Sequence, residues 1–171
     1  MAKPIGSVTR GTTNPNRLRR VDRYIAALPQ IKEQQPVVVD LGFGASPITA
    51  IELRARLLKV NPGVRVVGVE IERERVERGL AIAEPGLDFT HGGFEVPLPK
   101  GMTEATVIRA FNVLRQYDES EVAAAWALMQ SRLSKTGMLI EGTCDEIGRL
   151  SSWITLSKQE PLSFTISLRL G

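Results

Sequence analysis

Residues 37–46 read Val37-Val38-Val39-Asp40-Leu41-Gly42-Phe43-Gly44-Ala45-Ser46, and Pro47 follows. Three consecutive β-branched residues predict a short buried strand. Asp40 falls at its carboxyl end, Gly42 and Gly44 follow at a spacing of two, and the apolar periodicity of residues 47–60 predicts a helix. Ser46, directly before Pro47, is the expected N-cap, with proline at the first helical position. Strand, acid, glycine turn and helix start in that order build a pocket for a small polar ligand. Glycines let backbone N–H groups approach a ligand closely, and a carboxylate beside them binds an amine or a hydroxyl.

Strands and helices alternate on either side of this segment. Residues 1–15 read as an irregular arm, and residues 16–171 as a single domain. Asn16 is the expected cap of a helix running to about Leu28. Residues 64–70 form a second apolar strand that ends in Glu70, and residues 72–83 a charge-laced helix. Residues 87–90 make a third strand, and residues 91–103 a Gly- and Pro-rich loop. Residues 106–110 make a fourth strand. Asp118 and Glu121 form a capping box for a helix ended by Gly137. Residues 138–141 are a fifth strand, a short helix is expected over about 145–150, and residues 153–156 and 162–168 read as a closing hairpin. The pattern predicts an α/β fold, doubly wound, with a mostly parallel sheet, helices on both faces and an antiparallel C-terminal hairpin.

Asp40, Gly42 and Gly44 resemble the first motif of the class I S-adenosylmethionine-dependent methyltransferases, with Ser46 where a third glycine is common. The resemblance covers about residues 37–170 and implies a seven-stranded Rossmann-like sheet and S-adenosylmethionine as cofactor. It also implies a set of roles at the strand ends, where ligands of open α/β sheets sit. Glu70 would hold the two ribose hydroxyls, a task suited to its two oxygens. In His91-Gly92-Gly93-Phe94-Glu95 the acid that such proteins use against adenine is missing, so Gly93 and Phe94 would face the ring through backbone and packing. Asn112, in Phe111-Asn112-Val113-Leu114-Arg115, would face the methionine part of the cofactor. Past the fifth strand, Glu141, Thr143, Cys144, Asp145 and Glu146 gather at the same edge as candidates for an acceptor pocket. No catalytic residue is singled out.

Composition narrows the rest. One cysteine and one histidine in 171 residues exclude an internal disulfide and a Cys- or His-based metal site. The absence of a long apolar run points to a cytoplasmic protein without membrane contact. The net charge of +3 resolves into +5 over residues 1–23 and −2 over the remaining 148. A helix with Leu18, Val21, Ile25 and Leu28 inward would turn Arg19, Arg20 and Arg23 to solvent. That basic segment makes RNA a candidate acceptor beside a small molecule, and gives no reason to expect DNA. It also supports an alternative, a non-catalytic fold relative binding RNA or a protein through the segment. A third reading, an NAD(P)-dependent oxidoreductase, needs Gly-x-Gly-x-x-Gly and an acid about 20 residues on. Pro47 and the distance to Glu70 oppose it. On the methyltransferase reading the N-terminal arm is expected to reach the open strand ends, cover the cofactor and help select the acceptor.

Overall fold

The structure, a computed structural model, describes residues 2–170. Its strands are β1 (Val37–Leu41), β2 (Arg65–Glu70), β3 (Leu87–His91), β4 (Ala105–Phe111), β5 (Leu133–Cys144), β6 (Leu150–Leu156) and β7 (Pro161–Leu168). Its helices are α1 (Arg19–Ala27), α2 (Ile48–Leu58), α3 (Arg73–Leu80) and α4 (Glu119–Gln130). The strands form one sheet in the order β3-β2-β1-β4-β5-β6-β7. The first five are parallel, and β6 and β7 are antiparallel to their neighbours. This is the doubly wound architecture that the alternating pattern predicts.

β1 is buried along its whole length, and its alternate residues feed two cores. Val38 packs with Val21, Ile25, Leu53 and Phe89 beneath α1, α2 and α3. Val37, Val39 and Leu41 pack with Ile108, Met129 and Leu139 beneath α4. Helices therefore cover both faces, as a parallel sheet requires. At α4 the Glu121 carboxylate accepts the Asp118 N–H at 3.0 Å, as the spacing of these two residues predicts.

Four local expectations are corrected. Asn16 does not cap α1; the helix opens after Leu18, and Asn16 instead binds α2 through the Glu52 carboxylate and the Arg56 guanidinium. Ser46 is not the cap of α2, because the Pro47 carbonyl already accepts the first helical hydrogen bond, from Ile51 at 3.1 Å. The helix predicted to reach Gly137 ends at Gln130. Leu133 already pairs with Ala105, and the register then jumps to Met138 opposite Val107, so residues 134–137 bulge from β5. No helix forms over 145–150. A turn joins β5 directly to β6, with the Asp145 N–H bonding the Leu150 carbonyl at 3.0 Å.

That tight turn makes β5, β6 and β7 a meander. α1 covers one side of it, where the Tyr24 and Trp153 rings lie 5.2 Å apart and the Tyr24 hydroxyl meets that of Thr155. On the other side Leu162, Phe164, Ile166 and Leu168 alternate along β7 and are about half exposed or more.

Candidate functional site

The sheet changes winding direction between β1 and β4, which opens a crevice outside their carboxyl ends. A cavity of about 640 Å³ lies there. Asp40, Gly42, Gly44 and Asn112 line it, together with residues 9–14 of the arm and Arg17, Arg115, Cys144, Asp145 and Glu146. Glu70, Gly93 and Phe94 line a second, much smaller space of about 20 Å³ under Ile5, Gly6 and Ser7. The seven candidate residues thus divide between two adjoining compartments.

Local chemistry explains their placement. Gly42 and Gly44 have φ of +72° and +91°, the left-handed region in which a side chain is strained. The turn aims the Gly44 N–H at the Glu70 carboxylate, 3.0 Å away, and so ties the end of β1 to the end of β2. Glu70 also accepts the N–H groups of Ile71 and Glu72 at 2.9 and 3.3 Å, with the Arg75 guanidinium 3.6 Å from it. Asn112 is held at φ +59°, a conformation uncommon for a residue with a side chain. Its side-chain amide oxygen accepts the Cys144 N–H at 2.9 Å and the Thr143 hydroxyl at 3.0 Å, which clasps the ends of β4 and β5 together.

Asp40 has a different setting from the open acid of the glycine turn. It is 2% exposed, and Arg109 of β4 grips both of its oxygens, Nε at 3.3 Å and Nη2 at 3.0 Å, while Thr49 donates to it at 2.7 Å. Arg109 is completely buried and also pairs with Asp22 of α1, which Arg56 contacts from its other side. Burial disfavours the Arg109 charge, but Asp40 and Asp22 outweigh it and hold its pKa above the ordinary value. Burial pushes the Asp22 carboxyl up, against the pull of Arg109 and Arg56. Sequence reasoning missed this network, although two signals mark it. Arg109 interrupts an apolar strand, and Asp22 lies within the inward stripe of Leu18, Val21 and Ile25.

The arm crosses both compartments. The Ile5 carbonyl accepts the Phe94 N–H at 2.8 Å, and the Ile5 N–H reaches Glu95 at 2.9 Å. Arg75 donates to the Thr9 carbonyl at 2.9 Å, and the Ala45 N–H to that of Gly11 at 3.0 Å. Phe94 packs on Tyr117, ring centroids 5.4 Å apart. The arginines after the arm are not a uniformly solvated face. Arg17 is buried, Arg19 donates to the Ile147 carbonyl at 2.8 Å, and Arg20 to that of Gly148 at 2.9 Å. Where no helix follows β5, these side chains supply the donors that its turn carbonyls need. Only Arg23 of the three expected outward arginines stays exposed without such a bond.

At the end of β5 and in the turn after it, the candidates separate. Cys144, Asp145 and Glu146 line the large cavity. Glu141 lies opposite Ala110 and Ile154 in the neighbouring strands, and burial there raises its pKa from 4.5 to about 7. The folded state therefore binds the extra proton between these values. Stability from this group is full below about pH 4.5 and falls as pH rises to about 7. Glu141→Gln is expected to abolish that decline and to raise stability near pH 8 by about 1–2 kcal/mol, discounted for partial exposure. Denaturant titrations at stepped pH measure it; equal slopes for parent and variant would show a carboxyl in full contact with water.

No protein-family model matches the sequence, and no curated protein is similar to it in sequence. Solved structures match its fold. Human N-acetylserotonin methyltransferase in complex with SAM is similar at a TM-score of 0.52 and 22% identity, over 75% of this chain and 35% of that one. Magnesium protoporphyrin IX methyltransferase from Synechocystis PCC 6803 with bound SAH gives 0.56 and 16%, over 74% and 54%. An O-methyltransferase family 2 protein from Planctomyces limnophilus gives 0.53 and 22%, over 74% and 39%. The fold is that of the class I S-adenosylmethionine-dependent methyltransferases. The chain spans about a third to a half of the length of these proteins. Among the described residues no helix is long and apolar enough to cross a membrane, and no cluster of His, Cys, Asp and Glu has the make-up of a metal site.

Proposed function

We propose that this chain binds S-adenosylmethionine across the carboxyl ends of β1, β2 and β4 and transfers its methyl group to a small molecule in the large cavity. The observation that carries this reading is the convergence of Gly42, Gly44, Glu70 and Asn112 at adjacent strand ends beside that cavity. The solved proteins of like fold, two of them holding SAM or SAH, support it.

The residues fit the two halves of the cofactor in different ways. The side of Gly42 and Asn112 has room for the methionine part and an acceptor together. On the side of Glu70 and Phe94, residues 5–9 fill the space, so the adenosine half takes its place when that stretch lifts from its hydrogen bonds to Phe94, Glu95, Gln116, Tyr117 and Arg75. Glu70 would then offer its carboxylate to the ribose, and Phe94 with Gly93 would border the base. When bound, the cofactor supplies an already activated methyl group. The protein aligns the acceptor, excludes water beneath the arm, and holds Asn112 rigidly at the strand end. A dedicated base is needed only for an acceptor of high pKa.

Calorimetry with S-adenosylhomocysteine tests the reading, with a dissociation constant in the micromolar range expected, about −8 kcal/mol. Gly44→Val should abolish binding while unfolding stays cooperative. A Cβ at this φ is strained and would lie 3.0 Å from the Gly11 carbonyl oxygen. A variant that binds normally would remove the turn from the site. A parent protein that binds neither S-adenosylmethionine nor S-adenosylhomocysteine would end the reading.

A further inference from the structure

We propose that Arg10, Arg17 and Arg115 form an anion-receiving wall of the large cavity, and that the methyl acceptor is a small molecule bearing one carboxylate or phosphate group. The acceptor's identity rests on the methyl-transfer reading; the anion wall does not.

Arg17 carries the argument. Three arginines are buried among the described residues, and two of them face carboxylates: Arg75 has Glu70 and Glu72, and Arg109 has Asp22 and Asp40. Arg17, 7% exposed, has only neutral partners. Its Nε donates to the Asp145 carbonyl at 3.0 Å, Nη1 to Thr12 at 2.9 Å, and Nη2 to Cys144 at 3.4 Å. Three of its five N–H groups are thereby used, and its charge has no counter-ion. A buried guanidinium is costly unless an opposite charge meets it, and this one lines the cavity.

Arg10 and Arg115 line the same cavity, exposed, and their side chains form no hydrogen bond or ion pair with any described residue. The carboxylates that share the lining leave them available. Asp40 is committed to Arg109, and Asp145 accepts the Arg149 N–H at 2.7 Å. Asp145 and Glu146 are exposed at the lining and would repel a chain of phosphates, whereas a single anionic group can settle on the guanidinium side of the cavity. The volume of about 640 Å³ suits a small molecule. RNA is therefore disfavoured as the acceptor.

Arg17 also holds the arm to the turn after β5, so the test uses the two arginines without internal partners. Arg10→Gln/Arg115→Gln is compared with the parent, each saturated with S-adenosylhomocysteine and titrated with succinate and with inorganic phosphate. S-Adenosylhomocysteine and methylthioadenosine, which lacks the amino-acid carboxylate, are titrated separately. The expected result is at least tenfold weaker anion binding in the double variant, with unchanged affinity for both nucleosides. If affinity for S-adenosylhomocysteine falls tenfold and that for methylthioadenosine does not, the wall serves the cofactor's own carboxylate and the acceptor assignment is overturned. Equal anion binding by both proteins, or none by the parent, overturns the wall itself. A parent that binds neither nucleoside refutes methyl transfer, and the anion titrations on the free protein still decide the wall.

Discussion

Arg109→Leu is expected to destabilise the protein by about 3–5 kcal/mol, the cost of leaving buried charge uncompensated. Arg109 is fully buried within β4 and bridges α1 to the end of β1 through Asp22 and Asp40, with a further bond to the Thr49 carbonyl at 3.2 Å. Removing it strands two carboxylates inside the fold. Asp22 keeps Arg56, and Asp40 keeps only the Thr49 hydroxyl. Because the penalty arises from the stranded carboxylates, Asp22→Leu/Arg109→Leu should cost less than the sum of the two single substitutions. Urea unfolding at neutral pH measures both. A single-variant loss below about 1 kcal/mol would show that water reaches these carboxylates and that the network contributes little.

Glu70→Ala should weaken S-adenosylhomocysteine binding by about 1.5–3 kcal/mol, roughly ten- to 150-fold, the loss of hydrogen bonds to a charged group. The same substitution frees the Gly44 N–H and leaves Arg75 with Glu72 as its carboxylate, so stability should fall as well. Glu70→Gln separates the two effects. It retains the shape and one acceptor for the Gly44 N–H, and should restore much of the stability while affinity stays reduced. Calorimetry that finds unchanged affinity in either folded variant would take Glu70 out of the binding site.

The strand ends were legible because each carries a local signal. Gly42 and Gly44 form the turn that their spacing after a strand suggests, in the left-handed backbone that glycine permits. Glu70 closes an apolar run and does end β2. The arm was harder to read. Residues 5–11 have no periodicity, and their place across the strand ends depends on scattered partners such as Phe94, Arg75 and Ala45, 34 to 89 positions away at the shortest and longest of the three bonds. The arginines misled for a related reason. Helical spacing turns Arg19 and Arg20 outward from α1, but only the fold brings the carbonyls of residues 147 and 148 to meet them.

The sequence by itself determined the alternating order of strands and helices, the parallel sheet, and the glycine turn and acids at its carboxyl edge. Those properties follow from periodicity and backbone freedom, which act over a few residues. Only the tertiary structure decided that Asp40 is locked to Arg109, that the bulge of residues 134–137 replaces the end of a helix, and that Arg17 faces the cavity without a counter-ion. Each of these depends on which distant groups share a dry interior. Long-range packing settles that, because a buried charge or carbonyl must find its partner wherever the chain delivers one.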